Sequence, residues 1–245
     1  MKTFLRCIVF SLLVALACAS GAFAASCCEG AVCGTPPVAE NSLSAQEKAD
    51  GWQLLFDGKT FDGWLCQNVE HNAWQIDTGA FYYDAKGHGM LYTKARYGNF
   101  ELKIDFMCDK GTNSGVFFRW DKISDPVQTG FEMQVLDDAN SNDSPRHWCG
   151  AIYDVMAPSE HAVNPMRTWN TAVIRARDNF ISVTLNGKHI VQMDLNRWTE
   201  AHKNPDGSTN KFNTAYKDMP REGHIGLQNH GCKVWFKNIK LRVLK

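Results

Sequence analysis

The chain reads as an all-β sandwich of two antiparallel sheets, with one short helix in front of it. Apolar residues recur at every second position in many short runs, the period of a strand with one buried face. Gly-, Asp- and Asn-containing turn signals separate the runs, and helix-length periodic segments are scarce. Eight tryptophans among 245 residues fit a sandwich core and leave some rings for outward platforms.

Residues 1–24 have the layout of an export signal. Lys2 and Arg6 form a positive start, Ile8 to Leu16 an apolar core, and Ala22-Phe-Ala24 a small-x-small cleavage site. The apolar run is short for a bilayer, and no later segment approaches the roughly 20 apolar residues of a spanning helix. Neither Cys18 nor Cys27 follows the Leu-small-small pattern of a lipidated cysteine. The expectation is a soluble, exported protein, periplasmic or secreted. Without its signal the chain keeps 24 basic residues against 26 acidic ones. That balance provides no basic footprint for nucleic acid. Seven cysteines remain, an odd number, so complete internal pairing is excluded.

The elements follow in order. Residues 25–50 hold a Cys- and Pro-containing linker and then Ser44-Ala-Gln-Glu47, a capping box that opens a helix ending near Gly51. The sandwich domain is placed at 51–245. Its candidate strands are 52–56, 74–76, 80–83, 100–107, 116–120, 131–136, 151–153, 169–175, 180–185, 189–194, 224–228 and 233–243. Asn186-Gly187 between two alternating runs is a tight hairpin signal. Trp169 falls on the side of Val173, opposite Asn170, and reads as core. Residues 196–222 break the rhythm, as a functional or mobile insertion does.

Chemistry concentrates in Asn113-Ser-Gly-Val-Phe-Phe-Arg119 and Gly130-Phe-Glu-Met-Gln-Val-Leu-Asp137. In the second run Phe131, Met133 and Val135 point one way, while Glu132 and Gln134 point the other. A carboxylate and an amide on one face, with a guanidinium on the neighbouring strand, suit a polyhydroxylated ligand. Arg119 is expected on that face, against the ligand or paired with Glu132. A β-bulge after Glu132 would also turn Asp137 towards it. In Gly223-His-Ile-Gly-Leu-Gln-Asn-His230, His224, Gly226, Gln228 and His230 share a face, with Ile225 and Leu227 inward. The acids Asp137, Asp138 and Asp143 read as a solvated loop, and no metal site is assigned.

These runs resemble, in order, those of the 3-keto-disaccharide hydrolase domain family. The motifs are Leu54-Leu-Phe-Asp-Gly-Lys…Gly63-Trp64, the two segments above, Gly150-Ala-Ile-Tyr153, Trp169-Asn170, Leu185-Asn-Gly187, Gly226-Leu-Gln-Asn-His230 and Phe236-Lys-Asn-Ile239. The resemblance implies a concanavalin-like jelly roll whose one concave sheet face forms the ligand groove. It also implies hydrolysis of glycosides already oxidised to a ketone at carbon 3, with a carbohydrate substrate and no organic cofactor. The alternative on the same fold is a non-catalytic carbohydrate-binding module.

A ketone at carbon 3 acidifies the proton on carbon 2, so a base can remove it and expel the group on carbon 1. Such a site needs a base, an acid, and donors for the enolate oxygen. Glu132 and His230 are the candidate base and acid, in either order, with Asp137 as a third catalytic candidate. Asn113, Arg119, Gln134 and Gln228 are candidate substrate-binding residues. Tyr153 and Trp148 are candidate sugar-contacting rings.

Overall fold

A computed structural model describes residues 39–68, 73–86, 89–138 and 144–245. The signal read at 1–24, together with Cys27, Cys28, Cys33 and Asp143, lies outside them. Helix α1 (Ala45–Ala49) opens on the expected capping box. Glu47 N donates to Ser44 Oγ at 3.0 Å, and Ser44 N donates to Glu47 Oε2 at 2.8 Å. Lys240 Nζ then donates to both Glu47 oxygens at 2.9 and 3.0 Å, tying the helix to the last strand.

The strands are β1 (Trp52–Leu54), β2 (Trp64–Cys66), β3 (Trp74–Asp77), β4 (Ala80–Tyr83), β5 (Leu91–Thr93), β6 (Phe100–Cys108), β7 (Asn113–Trp120), β8 (Phe131–Leu136), β9 (Trp169–Arg177), β10 (Phe180–Leu185), β11 (Lys188–Asp194), β12 (His224–Leu227) and β13 (Val234–Val243). The larger sheet runs β11-β10-β9-β6-β13-β4-β3, with β1 also on β13, and the smaller runs β2-β5-β12-β7-β8. Every pairing is antiparallel. The expected all-β jelly-roll sandwich is therefore what the chain forms.

Aromatic packing joins the two sheets. Phe118 of β7 stacks on Phe131 of β8 at 5.5 Å and meets Phe100 of β6 edge-on at 6.1 Å. All three are fully buried. Each such side chain contributes about 1.5–3 kcal/mol by leaving water. The β10–β11 hairpin turns at Asn186 and Gly187, with φ of 50° and 81°. Two successive left-handed positions are what a two-residue turn between twisted strands requires.

Four features depart from the sequence expectation. Strands β2 and β5 are three residues long, too short to show a period. Residues 151–153 form no named strand; Ile152 bridges Met133 and Met156 along the outer edge of β8. Trp169 is not core: Asn170, Ala172, Ile174 and Ala176 are the buried set of β9, and Trp169 lies outside with Lys237 Nζ 4.1 Å above its ring. Residues 196–222 extend the core, burying Trp198, Phe212, Tyr216 and Met219. Among the described residues no helix is long and apolar enough to cross a membrane.

Candidate functional site

Register assembles one polar patch on the outer face of the smaller sheet. Glu132 of β8 sits opposite Phe117 of β7, and Gln134 sits opposite Gly115. Gly226 of β12 faces Phe117 from the other side, and Gln228 N donates to Gly115 O at 2.9 Å just beyond it. The inward neighbours Phe131, Met133, Val135, Ile225 and Leu227 are fully buried in the main core. Gly115 thus lies between Glu132 and Gln228 with no side chain of its own. A Cβ there would run into the Glu132 carboxyl. The gap leaves the Gln228 side chain close enough to that carboxyl to favour its charged form.

Glu132 is 8 % exposed. Burial is the main influence on its carboxyl and pushes its pKa up to about 8, against the opposing pull of Lys211 and the Gln228 hydrogen bond. Lys211 reaches the patch from the 196–222 segment. Its N donates to Asp154 Oδ2 at 2.8 Å, and its Nζ stands 4.1 Å from the centre of the Tyr153 ring. His147 stacks on the same ring at 4.6 Å, and Tyr153 N donates to Glu132 O at 3.0 Å. Tyr216 packs against Phe131 and Phe212 at 5.1 and 4.9 Å. Burial first, then the nearby Glu132 and Asp154 charges, raise its phenol well above the usual range.

Three buried polar atoms of this region lack a hydrogen-bond partner among the described residues: Gln134 Oε1, Gln228 Oε1 and the Tyr216 hydroxyl. Unpaired buried groups are costly in a folded protein and are expected where a ligand completes them. The two amide acceptors beside a carboxyl match a ligand rich in hydroxyl groups, while the Tyr216 ring sits in the core against Phe131. Asn113 joins the row as well, its Oδ1 accepting from Gln134 Nε2 at 3.3 Å.

The structure brings Glu132, Gln134, Gln228, Asn113 and Tyr153 together. Trp148 lies in the 144–157 loop with its ring 3.7 Å from that of His161. His230 is exposed beyond the end of β12, and the contact to Glu132 from this segment comes from Gln228.

Two expectations are corrected. Arg119 does not face Glu132: at φ 50° it breaks the alternation of β7 and turns into the space between the sheets. There it is 0 % exposed, donating to Gly98 O and Asp178 O at 2.9 Å and to Asn99 Oδ1 at 3.2 Å. The same break returns Trp120 to the outer face, beside Phe117 and Met90. Asp137 is not turned towards Glu132 either. Strand β8 keeps a regular register to Leu136, and Asp137 Oδ2 accepts from Gly111 N at 2.9 Å. Lys211 and Tyr216 are the residues that periodicity overlooked, because both sit in the aperiodic segment.

Residues 51–242 match the family described as the 3-keto-alpha-glucoside-1,2-lyase-like domain. The chain belongs to this family. A 3-keto-disaccharide hydrolase of Bacteroides thetaiotaomicron is 27 % identical, over 83 % of this chain and 82 % of its own. Two crystal structures of candidate glycosyl hydrolases from Parabacteroides distasonis are also similar. One is 35 % identical, covering 79 % of this chain and 99 % of that one, with a TM-score of 0.72. The other is 27 % identical, covering 84 % and 100 %, with a TM-score of 0.70. This member of the 3-keto-alpha-glucoside-1,2-lyase-like family is a hydrolase with a glycoside-hydrolase-like function.

Proposed function

We propose that the enzyme cleaves 3-keto-glycosides, 3-keto-disaccharides among them, by elimination followed by hydration. The observation that carries this reading is the buried carboxyl of Glu132, with a pKa of about 8, set in a polar patch with unpaired hydrogen-bonding atoms. A base is most effective when its pKa lies near the working pH, so this carboxylate suits abstraction of a carbon-bound proton better than an ordinary one. Two positions on along the same face of β8 stands the amide Gln134, so this strand does not itself supply the carboxylate pair that double displacement needs.

In the first half-reaction the Glu132 carboxylate takes the proton from carbon 2. The C–H electron pair moves into a carbon 2–carbon 3 double bond, and the ketone becomes an enolate. Lys211 provides positive charge for that developing anion, and Gln134 and Gln228 hold sugar hydroxyls. The enolate collapses, a carbon 1–carbon 2 double bond forms, and the bond from carbon 1 to the leaving oxygen breaks. His230, two residues beyond Gln228, gives that oxygen its proton. Water then adds at carbon 1 and carbon 2 recovers a proton, so the sum is hydrolysis.

The test is incubation of the purified protein with a 3-keto-disaccharide in D2O. Release of free 3-keto sugar carrying deuterium at carbon 2, its loss in Glu132→Gln, and inertness of the unoxidised disaccharide are expected. Release without deuterium at carbon 2 would overturn elimination. Tight sugar binding without release would favour a binding module.

Export belongs to the same proposal and rests on Lys2, Arg6, the apolar run and Ala22-Phe-Ala24. Amino-terminal sequencing of the exported form should begin at Ala25; a form retained in the cytoplasm with Met1 intact would overturn it.

A further inference from the structure

A cavity of about 370 Å³ opens beyond the 152–156 turn, apart from the Glu132 patch. Its walls are Arg146, Val155, Met156, Ala157, Arg197, Trp198, Asn204, Pro205 and Asp206, and they include none of Glu132, Gln134 or Gln228. Ligand cavities span roughly 300–1,000 Å³, so this one suits a small molecule.

Its floor is apolar. Val155 and Trp198 are 2 % and 4 % exposed, and the Trp198 indole N–H is already used, donating to Asn204 Oδ1 at 3.0 Å. That leaves the ring itself as a wall, with Ala157 and Pro205 nearby. The rim carries two guanidinium groups of different status. Arg146 is paired with Asp206. Arg197 has no side-chain partner among the described residues, so one uncompensated positive fork stands over an apolar floor. Guanidinium groups bind two-oxygen anions in a planar, bidentate manner that a neutral group does not reproduce.

We infer that this cavity is a binding site for a small organic carboxylate with a flat apolar body, an aryl carboxylate in chemical class. The ring lies against Trp198, Val155 and Pro205, and the carboxylate meets Arg197. The site is separate from the Glu132 patch, although both lean on one stretch of chain. Tyr153 N donates to Glu132 O, whereas Asn204 Nδ2 donates to Asp154 O at 3.3 Å.

Isothermal titration of the full chain with 4-hydroxybenzoate, and with neutral 4-hydroxybenzyl alcohol, tests the inference. The acid is expected to bind with a Kd of about 0.1–1 mM and the alcohol at least about tenfold more weakly. Arg197→Gln, at an exposed position, should weaken the acid about tenfold with thermal unfolding unchanged. Ala157→Leu, which fills the cavity, should abolish binding of both probes. Glu132→Gln should bind the acid as the parent does. Equal affinity for acid and alcohol, undiminished binding by Arg197→Gln, absence of saturable binding of the acid, or its loss in Glu132→Gln would each overturn the assignment.

Discussion

Gly115 and Glu132 occupy one space: the carboxyl of Glu132 lies where a Cβ of residue 115 would stand. Gly115 has no left-handed backbone angle to explain its presence, so the need for glycine here is steric. Gly115→Ala is therefore expected to fold, at a cost of about 1–3 kcal/mol for crowding, and to displace the carboxyl. A misplacement of this kind costs roughly 10²-fold in rate. Hydrolysis rates and urea unfolding on the same preparation check this. Gly226→Ala is the contrast, since its Cβ would meet the Trp120 ring at 2.8 Å and not Glu132.

The raised carboxyl has two pH signatures. If Glu132 is the base, kcat/KM of the parent rises with pH through about 8, where the buried group ionises. Stability runs the other way. The unfolded chain releases this proton near the ordinary 4.5, while the folded chain keeps it to about 8. The folded state therefore binds more protons between those limits, and stability falls as pH rises through that window. Glu132→Gln removes that slope, leaving the variant more stable than the parent at pH 9 by roughly 2–4 kcal/mol. Its activity should drop at least about 10²-fold. Denaturant unfolding at pH 4.5 and 9, beside the pH–rate profile, measures both.

Lys211 lowers the Glu132 pKa from across the patch. Lys211→Met should shift the rising limb of the pH–rate profile to higher pH and cut the rate by about 10–10²-fold. Lys211→Arg keeps the charge and should keep the limb near its original position. An unmoved limb in Lys211→Met would remove this residue from the site.

Sequence alone revealed the part of the site that lies on regular strands. Glu132 and Gln134 were visible because a period of two leaves no choice of face, and Gln228 followed from Ile225 and Leu227 in the same way. Periodicity failed where the backbone departs from a strand. A single left-handed residue at position 119 reverses Arg119 and Trp120, and nothing in the letters Phe-Phe-Arg-Trp announces it. Lys211 and Tyr216 depend on how residues 196–222 pack back over β8, a long-range result without local signature. The strands β2 and β5 failed by length, since three residues carry less than two periods.

The reversal at Arg119 makes this residue a structural tie and not a ligand contact. The guanidinium is fully buried, and desolvation holds its pKa down to about 10. Its three hydrogen bonds join β7 to the chain entering β6 and to the β9–β10 turn. Arg119→Met would strand the carbonyls of Gly98 and Asp178 away from water. Losing hydrogen bonds from a buried charged donor should cost about 2–5 kcal/mol, or roughly 5–15 °C in Tm for a domain of this size. Arg119→Lys should recover little, because one ammonium cannot span acceptors placed for a planar fork. Per molecule of folded protein, hydrolysis by both variants should equal that of the parent below their unfolding temperatures. A variant as stable as the parent but inactive would return Arg119 to the substrate, as its place in the sequence first suggested.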